Sequence, residues 1–397
     1  MFHKTLISLL LAAALCLGCL AGCGSTDPKP DDTAPSATAA PAPDASATAA
    51  PQPEADDAQH AKYEAAFAKY APDTVVMTVN GEDVTWAEYY SWLYYAMHQL
   101  ESNYGIEDWA APVSGLEGVI DEPSYGGYAR SYAVTNCIQF AVLLQQAARQ
   151  GTLLTPEQQD ELEAMEAQFI EYYGGEEEFA AYLQEEFLSR DYFLEQNAAM
   201  AMAENLKDHL FGVNGADIPD ADAISYVRDY GYMYAKHILF MTVDDTRAPL
   251  DDEAVAQKRA DAEAVLAELN ACAPEELAER FDALMWEWSE DTGLAGYPDG
   301  YYFLPGKMVA PFEEAVKALE ENGLSDIVET AYGYHIIYCP PMSADHMIDY
   351  DNQYQPFNAR MLAADGLFSN MMNEWFDAAD VQIVPEFEAL SLNDLLA

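Results

Sequence analysis

Two of the seven histidines stand where side chains could do chemistry. His237 lies in Ala235-Lys236-His237-Ile238-Leu239-Phe240, and His335 lies in Gly333-Tyr334-His335-Ile336-Ile337. Apolar residues follow each one, so each imidazole is expected to be half-buried on a central strand. A neutral imidazole offers one donor and one acceptor, and it titrates near neutrality. A lone histidine on such a strand is more often a satisfied core residue. Two at matching positions in one domain make a candidate catalytic pair. The six cysteines suggest less. Cys16 and Cys19 fall in the leading apolar run, and Cys23 follows it. Cys137, Cys272 and Cys339 are odd in number and widely spaced. That pattern fits neither a disulfide framework nor a metal finger, so no metal or cofactor is expected.

The histidines need elements to hold them. The spacing predicts a strand from Tyr234 to Val243, amphipathic helices over 251–270 and 274–285, and a Gly/Pro-rich passage at 293–306. A helix over 310–320 and a final strand from Tyr334 to Cys339 complete a mixed α+β segment at 232–340. Helical sequence flanks it on both sides. On the N-terminal side, 61–231, Val75–Val79 reads as a strand and Asn80-Gly81 as a turn. Thr85 with Glu88 reads as a capping box that opens a helix. Trp86, Tyr89, Leu93, Met97 and Leu100 recur at helical spacing. Tyr and Met in this region could pack as core or line a groove for polypeptide, and packing is the simpler reading. Further helices are expected at 128–150, 156–173, 175–188 and 190–211, and a short one from about 219 to 230. On the C-terminal side, 341–397, a helix over 352–378 and a short strand at Val381–Val384 are expected. That strand is expected to pair with Val75–Val79, so the flanks would form one helical domain with the α+β segment inserted in it.

Within 232–340 further motifs follow in order. They are Ser289-Glu290-Asp291, the glycine-rich 293–300, and Phe303-Leu304-Pro305-Gly306-Lys307-Met308-Val309-Ala310-Pro311-Phe312. Then come Leu324-Ser325-Asp326-Ile327-Val328-Glu329-Thr330 and Tyr332-Gly333-Tyr334-His335. Together with Lys236-His237-Ile238-Leu239, this set resembles the parvulin family of peptidyl-prolyl isomerases. The resemblance implies a four-stranded antiparallel sheet with surrounding helices. It implies paired histidines, His237 and His335, on adjacent central strands. It puts Asp291 facing the reacting amide and has Thr330 hydrogen-bond to the histidines. Met308 and Phe312, with Phe303 beside them, would wall a prolyl pocket, and Tyr332 would stand at its rim. Two departures stand out. Where relatives often read Gly-Gly-Asp-Leu-Gly before the Phe, this chain has Gly296-Tyr297-Pro298-Asp299-Gly300-Tyr301-Tyr302. After the first strand it has Asp244-Asp245 and Asp251-Asp252 with Arg247 alone for basic charge, so a phosphorylated substrate is not expected.

The N-terminus reads as an export signal. Lys4 precedes an apolar run from Leu6 to Leu20 that is short for a bilayer span. It ends in Leu20-Ala21-Gly22-Cys23, which resembles the bacterial lipobox and implies cleavage after residue 22 and lipid on Cys23. Residues 24–60 hold no Val, Leu, Ile or aromatic residue and repeat Ser-Ala-Thr-Ala-Ala-Pro, so 23–60 is expected to be a disordered tether. Lipobox, split helical domain and inserted parvulin segment together resemble the PrsA-like foldase lipoproteins, bound to the outer face of the cell membrane. That resemblance implies unfolded or newly exported polypeptides as partners. The charge agrees: 69 acidic against 17 basic residues give −52, which excludes nucleic acid as a natural partner. Two other readings stay open at this level: a holding chaperone whose parvulin domain is inactive, and a solute-binding lipoprotein. A homodimer is also left open.

Overall fold

The computed structural model describes residues 53–114, 121–348 and 357–397. Cys23 and most of the expected tether lie outside the described residues. The strands are β1 (Val75–Val79), β2 (Glu82–Thr85), β3 (Met233–Met241), β4 (Tyr301–Phe303), β5 (Gly323–Leu324), β6 (Val328–Glu329), β7 (Gly333–Cys339) and β8 (Val381–Ile383). The chain divides into two compact units. One runs to Leu206 and resumes over Ser369–Ala397; the other is Lys207–Phe368.

The first unit is mainly helical around a small antiparallel sheet ordered β2-β1-β8. Asn80 and Gly81 both take positive φ, 55° and 86°, which fits the tight turn joining β1 to β2. β8 pairs with β1 through Met77–Ile383, Thr78–Gln382 and Val79–Val381, so the tail closes the sheet as expected. The helix Trp86–Tyr104 starts at Thr85, whose amide donates to Glu88 Oε2 at 2.6 Å while its side chain accepts from the Glu88 amide. Thr85→Ala removes that side-chain acceptor and should lower stability by about 1 kcal/mol, read as a lower urea midpoint. Trp86, Tyr89, Tyr90, Leu93 and Met97 are all buried. Trp86 Nε1 donates to the Phe67 carbonyl at 2.8 Å, and Tyr90 donates to the Tyr63 carbonyl at 2.7 Å. The aromatic stripe is therefore core, and the polar edges of Trp86 and Tyr90 are satisfied internally. A smaller core of Phe179, Leu183 and Phe193 joins the helices Pro156–Tyr173, Glu176–Glu185 and Arg190–Phe211.

Two boundaries differ from expectation. The first described element is a helix over Pro53–Phe67, so helix covers residues 53–60 of the segment expected to be tether. Pro53 and the acids Glu54, Asp56 and Asp57 suit a helix N-terminus, which needs no apolar residue to form. The tail helix begins at Ala359 and not at 352. Asn358 ends the non-helical run, its Oδ1 accepting from the Met361 amide at 3.0 Å as a cap does.

The second unit is built on an antiparallel sheet ordered β4-β3-β7-β5, with β6 also on β7. The resemblance to the parvulins implies four strands. The fourth arrives as two short pieces, β5 and β6, along one edge of β7. Between them Ser325 breaks the regular ladder: its hydroxyl accepts from the Ile337 amide at 2.8 Å and its amide donates to the Ile337 carbonyl at 2.8 Å. Side chains alternate across β3 and β7. Ile238, Phe240, Ile336 and Tyr338 pack under the helices Asp252–Ala271 and Leu277–Trp288 with Val265, Leu269, Phe281 and Leu284. The opposite face carries Ala235, His237, Ile337, His335 and Cys339. The helix Ala310–Ala318 covers part of it through Phe312 and Val316.

Candidate active site

The β3–β7 register sets the histidines. His237 opposes Ile337 and Leu239 opposes His335, so the imidazoles lie diagonally on one face of adjacent strands. Their rings stack at 5.1 Å and 22°, with Nδ1 to Nδ1 at 3.0 Å. Asp291 reaches them because the Ser289–Asp291 segment docks on β3. The Leu239 amide donates to Ser289 Oγ at 3.1 Å, and the Glu290 amide donates to the Leu239 carbonyl at 2.8 Å. Glu290 accepts from the Met241 amide at 2.8 Å and pairs with Lys258. Asp291 Oδ2 then lies 3.1 Å from His237 Nε2, and Oδ1 accepts from the Gly293 amide at 3.0 Å. At the other end Thr330 Oγ1 lies 2.8 Å from His335 Nε2 and accepts from the Tyr332 amide at 3.1 Å. Thr330 thus meets one histidine directly and the other through it.

Electrostatics set the charge at two points of this chain. Burial works against the Asp291 charge, but hydrogen bonds from His237 and Tyr301, the nearby His237 and the Gly293 amide prevail and hold the carboxyl at about 2. Burial, then the neighbouring His237, pushes His335 down to about 3 against the pull of Asp291. At neutral pH Asp291 is an acceptor only and His335 is uncharged. His237 Nε2 must donate to Asp291. The Nδ1–Nδ1 contact carries one proton between the two rings, and Thr330 Oγ1 lies against the far nitrogen of His335. The result is a hydrogen-bonded chain, Thr330–His335–His237–Asp291, that ends on the carboxylate.

Phe312 lies against both imidazoles, its ring 5.3 Å from His237 and 5.5 Å from His335, edge to face. Phe303 lies 6.0 Å beyond it, and Met308 packs on the same group. Phe303 and Met308 also line a cleft of about 360 Å³ with Tyr301, Tyr297 and Tyr302. Tyr332 is exposed at 37%, with Arg247 5.8 Å above its ring, while its backbone supports Thr330. The expected catalytic residues therefore converge, and Phe303, Met308 and Phe312 form one apolar group beside them. Sequence reasoning missed Tyr301, whose hydroxyl donates to Asp291 Oδ2 at 2.5 Å. A signal was available: Tyr301 and Phe303 are two apart on a strand, so they share a face. The arrangement is a hydrogen-bonded row ending in a half-buried carboxylate beside an apolar floor. It can accept hydrogen bonds, exclude water and present a fixed negative charge.

The family model "Rotamase: PPIC-type PPIASE domain" matches residues 237–340. The foldase protein PrsA of Geobacillus kaustophilus is 50% identical over 60 residues, 15% of this chain and 21% of that protein. The foldase protein PrsA of a Staphylococcus aureus strain is 26% identical over 207 residues, 51% of this chain and 56% of that one. The chain thus spans from about a fifth to about half the length of these curated relatives. Among solved structures, PrsA from Bacillus subtilis aligns at 20% identity with a TM-score of 0.23, covering 78% of this chain and 92% of that one. PrsA from Bacillus cereus aligns at 17% identity with a TM-score of 0.26, covering 82% and 99%. The histidine pair, Asp291, Thr330 and the apolar floor all lie inside the matched segment, and by that match this chain carries a PpiC-type rotamase, or parvulin, domain over residues 237–340.

Proposed function

We propose that this protein is an extracytoplasmic foldase. It catalyses cis–trans isomerisation of X–Pro bonds in unfolded or newly exported polypeptides, and a lipid on Cys23 holds it at the outer face of the membrane. The observation that carries this reading is the Thr330–His335–His237–Asp291 chain set against Phe312. Isomerisation breaks no bond; it must lower a barrier of ~18–20 kcal/mol set by amide resonance. In the planar amide, resonance places negative charge on the carbonyl oxygen. Twisting withdraws that charge and localises the lone pair on nitrogen. A fixed carboxylate facing the carbonyl penalises both planar states more than the twisted one, which is differential binding of the transition state. Phe312, Phe303 and Met308 grip the prolyl ring, and Tyr332 marks the rim. The histidines hold Asp291 and need not exchange a proton with substrate. The helical unit cradles the client. None of the described helices is long and apolar enough to cross a membrane, and attachment in this reading rests on Cys23.

A client whose refolding is limited by a prolyl bond tests this. Substoichiometric full-length protein should accelerate the slow phase, and Asp291→Ala should lose most of the acceleration. A slow phase that stays unchanged while aggregation is suppressed only at stoichiometric protein would leave a holding chaperone and overturn the enzyme reading.

A further inference from the structure

We propose that Tyr301 is a positioning residue of this site: its hydroxyl fixes the Asp291 carboxylate, and its ring stands between that carboxylate and the tyrosine-lined cleft. The inference rests on the rotamase reading for its catalytic meaning. Its structural part rests on three independent contacts.

First, the Tyr301 hydroxyl donates to Asp291 Oδ2 at 2.5 Å, on the same oxygen that faces His237 Nε2. With the Gly293 amide on Oδ1, the carboxylate is held by three donors from three segments, which fixes both its rotation and its tilt. Second, the ring is itself held. Tyr301 opposes Ala235 across β4 and β3, which puts it on the histidine face. Its ring lies 4.7 Å from Tyr297 and 5.6 Å from His237. Third, Gly293 leaves room for it: a Cβ on Gly293 would collide with the Tyr301 hydroxyl. The glycine and the phenol are complementary. Both lie in or beside the passage where this chain departs from the usual parvulin pattern, so the altered loop supplies a donor to the site. Burial and the Asp291 charge raise the Tyr301 phenol above its ordinary range, so it stays a donor at every working pH. The ionisable groups facing Asp291 are His237 and Tyr301, with His335 behind His237.

The test is Tyr301→Phe in the full chain, which removes one oxygen and keeps the ring. Losing one charge-assisted hydrogen bond should move the Asp291 titration, followed by carboxyl NMR, upward by about one pH unit. The acid limb of the exchange rate should move with it, and kcat should fall about tenfold with KM changed less than about twofold. Gly293→Ala should destabilise the parent protein and do so much less in the Tyr301→Phe background, since the clash is with the missing oxygen. An Asp291 titration that does not move, or an equal cost of Gly293→Ala in both backgrounds, overturns the proposal. If the titration moves but the parent protein shows no exchange activity, the contact stands and the rotamase reading falls.

Discussion

Phe312→Ala should stop nearly all peptide exchange and lower folding stability by about 3–5 kcal/mol. Phe312 is 4% exposed and packs with Ala235, Phe303, Val316, Ile337 and Cys339. It is also the ring against which both histidines rest. Truncation opens a cavity under the imidazoles and removes the apolar floor proposed for the prolyl ring, so packing and binding should fail together. Phe312→Leu separates the two effects. It keeps an apolar side chain of similar reach and should cost about 1–2 kcal/mol while raising KM more than it lowers stability. Urea unfolding beside exchange kinetics checks both. A Phe312→Ala protein that folds with normal stability and normal KM would remove Phe312 from the site.

Acid should destabilise the second unit in two stages. His335 has a folded value of about 3 against an ordinary 6.5, so between those values the unfolded chain binds a proton that the folded one refuses. Stability therefore rises with pH across that window and is lost on acidification, by roughly 5 kcal/mol if the full difference is expressed. Asp291, held at about 2 against 3.8, adds a second loss of about 2 kcal/mol below pH 3.8. The net charge of −52 acts the other way, since protonating carboxylates relieves self-repulsion. The informative quantity is thus a difference between parent and variant. His335→Gln keeps a polar side chain without a titrating ring, so its stability should fall less than the parent's between pH 6.5 and 4. Parallel curves for the two proteins would show that His335 does not carry a buried neutral imidazole.

Much of this architecture was legible because it follows from local rules. Asn80-Gly81, the Thr85–Glu88 box and the largely apolar run Tyr334–Cys339 respectively specify a turn, a cap and a strand without help from distant residues. The histidine pair was legible because the two residues stand in matching strand contexts and the resemblance to the parvulins implies adjacent strands; the β3–β7 register then puts both rings on one face. What was not legible depends on contacts far apart in sequence. Tyr301 looks like any strand tyrosine until β4 opposes β3 and brings its hydroxyl to a loop residue. The split of the fourth strand into β5 and β6 turns on one serine hydroxyl that replaces a ladder bond. The helix start at Pro53 was hidden by composition: an Ala- and Asp-rich run reads as tether, although Ala is a strong helix former and Pro and acidic residues are favoured in a first turn.

Exchange spectroscopy on unphosphorylated X–Pro peptides tests the central claim most directly, with the parent protein beside Asp291→Ala and His335→Ala. The account predicts fast cis–trans exchange in the parent, a loss of about a hundredfold or more in Asp291→Ala, and a smaller loss in His335→Ala, which acts through His237. A well-folded parent that leaves the exchange rate at its uncatalysed value would contradict it, as would an Asp291→Ala protein as active as the parent.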